Sequence, residues 1–401
     1  MASVVDHPRR ILHNFIPIQL CKELEFIHKS NCTVGYRAAV FSTTLSHLIA
    51  THCAHLVVPF VSLREQLKEK VEEFFGCEFE LVIEFTGLIS WTKGASIGWH
   101  SDDNRPYLKQ RDFTAVCYLN NYGEDFQGGA FHFQEGEPAS ILPMAGDVVM
   151  YTADSRNAHS VDEITGGERL TLTLWFSRNC SHDEDVKLIS LLSQCTPDEL
   201  NMEPCLNIPF PASNNMYWFA SDDISDCQQG CDVRYARLLA LGFNLHSCKN
   251  DSSNLELISS RDDASDLLMK PLWLVREDEM FTEKFVNILH ALQVVQFYFW
   301  REQELEGFKP KKNIKNLIVP ISEAQRARIN KLKNLLMKDQ QLLEASFSYS
   351  DWDRKKRDRF NWVSFSGAVA VWEAYTCKLH REMVLSLDRW RSHNSIFAIC
   401  V

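Results

Sequence analysis

With 401 residues, 45% hydrophobic and 24% charged, the chain has room for two or three domains with ample core, and its composition excludes a disordered or low-complexity protein. A formal net charge of −11 argues against nucleic acid, which calls for a basic groove. No stretch is long and apolar enough to cross a bilayer, so no membrane association is expected.

In chain order, residues 1–80 form an N-terminal part whose segment 11–76 reads as helices. Residues 18–28 are amphipathic, and residues 62–75 place Leu63, Leu67, Val71 and Phe74 at helical spacing. His47, His52 and His55 lie among apolar residues, where core histidines are expected rather than metal ligands. Residues 81–180 change character and read as short strands separated by turn residues. The predicted strands are 81–91, 113–119, 129–133, 147–151, 159–164 and 169–176, with Gly, Asn and Pro between them. Such spacing suggests an antiparallel sandwich or barrel.

After Phe176 the strand pattern stops. Residues 185–194 read as a helix, and residues 181–270 are turn-rich, with 6 basic residues against 15 acidic ones. Residues 271–401 hold 21 basic against 16 acidic, so a change of module or face is expected near Pro271. Residues 281–300 and 322–346 have amphipathic helical patterns, and the run Phe297-Tyr-Phe-Trp300 reads as core or a docking face. Arg354-Lys-Lys-Arg-Asp-Arg359 fits a solvated helix face better than a nuclear signal or a contact patch. This mainly helical region carries no evident chemistry; scaffolding, partner binding and substrate recruitment all remain open for it.

The chemistry concentrates in His100-Ser101-Asp102, His159 and Arg169. Two histidines and a carboxylate suit a non-haem Fe(II) centre, in which a facial triad leaves the opposite positions open. His-x-Asp alone is weak, since His182-x-Glu184 and His380-x-Glu382 have nearly the same form. Context separates them. The first look-alike sits in a polar run and the second in a predicted helix, whereas His100 and Asp102 are expected on an inward-facing strand, where residues i and i+2 share a side. In the last strand Arg169, Thr171, Thr173 and Trp175 share one face, opposite Leu170, Leu172, Leu174 and Phe176. A guanidinium pointing into a barrel needs a partner, because burying it alone costs several kcal/mol. Either an anionic ligand or a structural Asp or Glu meets that need. The planar fork of arginine matches a carboxylate in a bidentate way.

Residues 91–176 resemble the catalytic domain of the prolyl hydroxylase branch of the Fe(II)/2-oxoglutarate-dependent dioxygenases. The resemblance is carried, in the family's order, by His100-x-Asp102, Arg111-Asp-Phe-Thr-Ala-Val-Cys-Tyr-Leu-Asn120 and Gly128-Gly129-x-Phe131-x-Phe133. Pro143-x-x-Gly146-Asp147, His159-Ser-Val161, Thr165-Gly-Gly167-x-Arg169 and Leu174-Trp175-Phe176 complete it. Within that branch the pattern is most similar to the prolyl 3-hydroxylase (leprecan) group. The resemblance implies an α+β fold with a double-stranded β-helix (jelly-roll) core, buttressed by the N-terminal helices. It implies that His100, Asp102 and His159 bind iron, that Arg169 binds the distal carboxylate of 2-oxoglutarate, and that Tyr118 adds a hydroxyl contact. Thr171 would contact the cosubstrate or line the pocket. Trp91 stands near a position where many members carry a tyrosine, and an indole can stack on a ligand but offers no acceptor oxygen. The implied cofactors are Fe(2+), 2-oxoglutarate, O2 and L-ascorbate.

The implied activity is hydroxylation of a peptidyl proline, of the 3- or 4-hydroxylase type, coupled to conversion of 2-oxoglutarate to succinate and CO2. An oxygenase of another side chain or a small molecule, and an inactive adaptor of the same fold, are the alternatives. A protein or peptide substrate is expected, and the C-terminal helical region is a possible site for a protein partner. The start Met1-Ala-Ser-Val-Val-Asp-His-Pro-Arg-Arg lacks the apolar core of a signal peptide, and thirteen scattered cysteines suit reduced thiols, so a cytoplasmic or nuclear location is expected. Cys227, Cys231, His246 and Cys248 have poor spacing for zinc.

Overall fold

A computed structural model describes residues 7–34, 39–45, 48, 53–77, 82–194, 296–298, 300–301 and 362–396. Its strands are β1 (Arg9–Leu12), β2 (Thr33–Val34), β3 (Val40–Thr44), β4 (Val82–Thr92), β5 (Ile97–His100) and β6 (Phe113–Tyr118). They continue as β7 (Phe126–Gly128), β8 (Phe131–Phe133), β9 (Ser140–Ile141), β10 (Val148–Thr152), β11 (His159–Val161) and β12 (Ile164–Ser177). The helices are α1 (Ile18–Asn31), α2 (Val58–Phe75), α3 (Asp185–Gln194) and α4 (Trp362–His393).

All strand pairs are antiparallel and form two sheets. The larger has the order β1-β10-β6-β12-β4-β3-β2, with β7 also pairing β12; the smaller has the order β5-β11-β8-β9. Strand β12 is the spine of the larger sheet, because its alternation serves two cores at once. Leu170, Leu172, Leu174 and Phe176 pack against α1, α2 and α4 in one apolar cluster. On its other face Arg169, Thr171 and Thr173 are buried toward the smaller sheet. That side is filled by Trp91, Val116, Tyr118, Phe131, Phe133, Tyr151, Val161 and Ile164, contributed by both sheets. The site therefore lies between two sheets, and the helices hold the larger one from behind.

The helix predicted over 18–28 is α1, and the one over 62–75 is α2, which begins four residues earlier with Pro59 in its first turn. Gly76 ends α2 at φ +62°, a left-handed cap that a residue with a side chain adopts at a cost. The purely helical expectation for 11–76 fails at β1, β2 and β3. Each is too short for alternation to register, and each takes its place by pairing with β10, β3 or β4 at the sheet's margin. Helix α3 matches its predicted bounds.

The C-terminal segment is bound into the same body. Phe297 and Tyr298 are fully buried, and Trp300 stacks on Phe26 of α1 with ring centres 5.1 Å apart. The Tyr375 hydroxyl donates to Glu23 at 2.7 Å. Asp185 forms a junction, accepting from Arg64 of α2 at 2.9 Å and from the Ile396 amide at 3.1 Å. Residues 195–295, which contain the suggested zinc group and most of the acidic segment, lie outside the described residues, as do 322–346, the basic run 354–359, His47 and His52. His55 is buried, as expected.

Candidate metal centre

Strand pairing places the first two histidines. His159, at the start of β11, lies directly across from His100, at the end of β5, with ring centres 4.3 Å apart. Asp102 is not on a strand; β5 ends at His100, and the carboxylate comes from the following turn. The expectation of an i, i+2 strand pair is corrected here. The turn is pinned by the Asp103 amide on Ala153 O at 3.1 Å and by the Ser101 hydroxyl on Asp103 at 2.8 Å. One ligand atom from each of His100, Asp102 and His159 lies within 4.8 Å of the others, the single group of this kind among the described residues.

Hydrogen bonds settle which atoms face the centre. The Nδ1 of His100 meets Gly98 O at 2.8 Å, and the Nδ1 of His159 meets Asn157 O at 3.0 Å. A carbonyl only accepts, so in the neutral rings each Nδ1 carries the proton and each Nε2 keeps its lone pair for a ligand. Asp102 is divided in the same way. Its Oδ2 accepts from Thr114 at 2.7 Å and Tyr151 at 3.0 Å, while Oδ1 lies 3.9 Å from His159 Nε2. Burial opposes ionisation of Asp102, but His159, the Thr114 hydroxyl, His100 and Arg111 together hold the carboxyl below its usual range. Burial, only partly countered by Asp102, lowers His159. Both are thus in their ligating forms near neutral pH. Phe131 stacks on His159 at 4.9 Å with a 13° interplanar angle, which fixes the ring. This donor set fits an iron(II) facial triad.

The same chamber holds Arg169, 3% exposed, opposite Trp91 in the β4–β12 register. Its Nη2 donates to the Tyr118 hydroxyl at 3.3 Å, and its guanidinium carbon lies 5.1 Å from the Tyr118 ring centre and 5.5 Å from that of Trp91. Its Nε is buried without a hydrogen-bond partner, and it forms no ion pair among the described residues. Buried guanidinium groups are costly unless paired, so this arginine has the capacity to accept an anion. Gly128 and Gly129 make this possible. At φ +67°, a Cβ on Gly129 would come 2.2 Å from Ile164 Cδ1 and 3.3 Å from Arg169 Cδ. Thr171 spends its hydroxyl on Ile89 O at 3.4 Å and lines the chamber.

Residues 86–177 match the family model of the 2OG-Fe(II) oxygenase superfamily. The likeness to that superfamily covers this segment of the chain. Human 2-oxoglutarate and iron-dependent oxygenase domain-containing protein 3 is 39% identical over 85 residues, which are 21% of this chain and 27% of the human protein. Prolyl 3-hydroxylase 1 of Gallus gallus is 30% identical over 156 residues, 33% of this chain and 21% of the chicken protein. The chain thus spans about a quarter of the length of these relatives. A crystal structure of a Pseudomonas putida prolyl-4-hydroxylase superposes on 43% of this chain and 94% of that one, with 19% identity and a TM-score of 0.35.

Of the residues singled out from the sequence, His100, Asp102 and His159 form one group, Arg169 meets Tyr118 and Trp91, and Thr171 lies two residues beyond Arg169 on the same face of β12. Both look-alikes stay outside the His-Asp-His group. His182 lies in an exposed short turn, and His380 on α4 is close enough to His55 to depress its pKa. Sequence reasoning missed the residues behind the ligands. Thr114 and Tyr151 hold Asp102, and Asn157 supplies the carbonyl for His159 while its side chain bridges Pro8 O and Thr152. Asn120 clamps β12 by donating to Glu168 O at 2.6 Å and accepting from the Leu170 amide at 3.0 Å. The i, i+4 spacing of Thr114 before Tyr118, which puts both on one face of a strand placed in the core, is the signal that could have found Thr114.

Proposed function

We propose that this chain is an Fe(II)- and 2-oxoglutarate-dependent dioxygenase that hydroxylates a peptidyl proline. The observation that carries the reading is Arg169, a buried guanidinium with no acidic partner among the described residues, in the chamber shared with the His-Asp-His group. Such a pairing suits a small dianion that reaches from a metal to a fixed cation. His100 Nε2, Asp102 Oδ1 and His159 Nε2 would hold Fe(2+), and Arg169 with Tyr118 would hold the distal carboxylate of 2-oxoglutarate. When bound, the iron supplies the oxidation that turns 2-oxoglutarate and O2 into succinate, CO2 and a hydroxylated substrate. The protein's own contribution is orientation and shielding. Trp91 closes the arginine end with an apolar face, and Phe131, Phe133 and Val161 keep water from the sides. L-ascorbate would keep the iron reduced.

We read the two facing antiparallel sheets as a double-stranded β-helix (jelly roll). Proline is the preferred substrate because the relatives include prolyl 3-hydroxylase 1 and because the family motifs are most similar to that group. A protein substrate suits the entrance as well: Trp99, next to His100, is 56% exposed, and Tyr107, in the turn after Asp102, is 72% exposed. No described helix is long and apolar enough to cross a membrane.

The test is conversion of 2-oxoglutarate to succinate by the full chain with Fe(II) and candidate prolyl peptides, against His100→Ala and with mass spectrometry of the peptides. An added oxygen on a prolyl residue, lost in the variant, is the expected result. Turnover without iron dependence, or equal turnover by His100→Ala, would overturn the reading. An oxygen placed on another side chain would overturn the proline assignment alone.

A further inference from the structure

We propose that Tyr151 is a positioning residue that limits Asp102 to a single ligating oxygen. The inference rests on the iron reading above. Asp102 stands in a turn, so no strand geometry fixes its carboxylate. What fixes it is a pair of hydroxyls on neighbouring strands. Thr114 of β6 and Tyr151 of β10 are direct partners in the antiparallel register, so their side chains emerge side by side on the same face. Both donate to the same oxygen, Oδ2, at 2.7 and 3.0 Å. Oδ1 alone is left toward the histidines.

Tyr151 is well built for this task. It is 1% exposed, and its ring is held edge-on by Phe133 at 5.5 Å and by His159 at 5.0 Å. Its hydroxyl also comes within 3.4 Å of His159 Nε2, so it spans two of the three ligands. A phenol has one proton to give, and the carboxylate is its stronger acceptor. With Oδ2 engaged twice, the carboxylate cannot turn to present both oxygens to one ion. That restraint matters because a chelating carboxylate would occupy a coordination position that the cosubstrate or O2 requires. A phenylalanine would fill the same space and leave Oδ2 with Thr114 alone.

The experiment uses the full chain and Co(II) as the metal probe, without cosubstrate, so no turnover is involved. Co(II) affinity is measured by calorimetry, and its geometry by visible absorption, for the unaltered protein, Tyr151→Phe, Thr114→Val, Thr114→Ser and His100→Ala. Tyr151→Phe and Thr114→Val are expected to bind Co(II) roughly tenfold or more weakly, with altered visible bands and an unchanged melting temperature. Thr114→Ser keeps the donor and is expected to bind like the unaltered chain. Tyr151→Phe with affinity within twofold and identical bands would reduce Tyr151 to packing and overturn the proposal, while the iron reading stands. Co(II) binding no tighter in the unaltered chain than in His100→Ala would overturn the iron reading and, with it, this role.

Discussion

Arg169→Met gives opposite expectations for ligand binding and for stability, and the pair of measurements distinguishes a ligand-binding arginine from a structural one. In the folded protein, the guanidinium makes one long hydrogen bond to Tyr118 and two ring contacts at 5.1 and 5.5 Å. A hydrogen bond to a charged group contributes about 1.5–3 kcal/mol, and each ring contact about 0.5–2 kcal/mol. Against this stands the desolvation of a cation that is 3% exposed, several kcal/mol with no acidic partner among the described residues. The terms nearly cancel. Methionine fills much of the same volume with no polar group to bury, so the ligand-free protein should melt within a few degrees of the parent. For 2-oxoglutarate the balance is one-sided. Removing one partner of a buried charge pair costs about 2–5 kcal/mol, a rise in Kd of roughly 30-fold to several thousand-fold. Calorimetric titration of 2-oxoglutarate into the metal-loaded protein, beside a thermal melt of the ligand-free form, reads both quantities. Arg169→Lys keeps the charge without the planar fork and should fall between. A melting temperature lowered by ten degrees or more, with 2-oxoglutarate affinity within threefold of the parent, would show that Arg169 is structural and refute the reasoning.

Three further outcomes follow from the packing. Asp185→Ala removes a buried carboxylate, 2% exposed, that joins Arg64 to Ser395 and Ile396, and should lower stability by about 3–5 kcal/mol in denaturant titrations; a loss under 1 kcal/mol would contradict this role. Gly129→Ala places a methyl group against Ile164, which is fully buried and cannot withdraw, at a left-handed φ; both lower stability and weaker 2-oxoglutarate binding should be seen by the same two assays. Burial, reinforced by nearby His380, pushes His55 down to about 3 from 6.5. The unfolded chain therefore binds more protons between those values, so this contribution is complete above about pH 6.5. It declines by up to roughly 1.4 kcal/mol per pH unit on acidification toward 3. His55→Leu should flatten the acid limb of a plot of stability against pH, and an unchanged slope would count against it.

What was legible in the sequence was whatever a period of two or a turn residue could announce. Strand β12 shows its two faces openly, because leucines alternate with Arg169, Thr171 and Thr173, and the structure uses both faces as written. The double glycine was legible for the same reason, since only backbone freedom explains it. Less was legible where the determinant lies outside the local segment. Strands β1 to β3 are short and hold their place by pairing, so residues 11–76 gave only their helices. Asp102 was expected on a strand because spacing allowed it; in fact the turn is held by Ala153, fifty residues later. Tyr151 and Asn157 carry no motif. Their importance comes from register and from a backbone carbonyl, neither of which has a letter in the sequence.

The Asp185 junction and the Tyr375–Glu23 bond have a consequence for biosynthesis. Glu23 meets a partner 352 residues later in the chain, and Asp185 meets one 211 residues later. During translation, the oxygenase segment and α1 emerge long before the helix that completes their apolar cluster. Until residues 362–396 arrive, Leu24, Phe26, Phe60 and Leu63 lack part of their cover, and contacts this distant in sequence form slowly. The nascent chain therefore passes through an interval in which His100, Asp102 and His159 are already present while its rear face is open. Such a face is prone to aggregation and favours chaperone binding. A synonymous change in codon usage after residue 194, or a stop codon before residue 362, would act on solubility without touching any residue of the site.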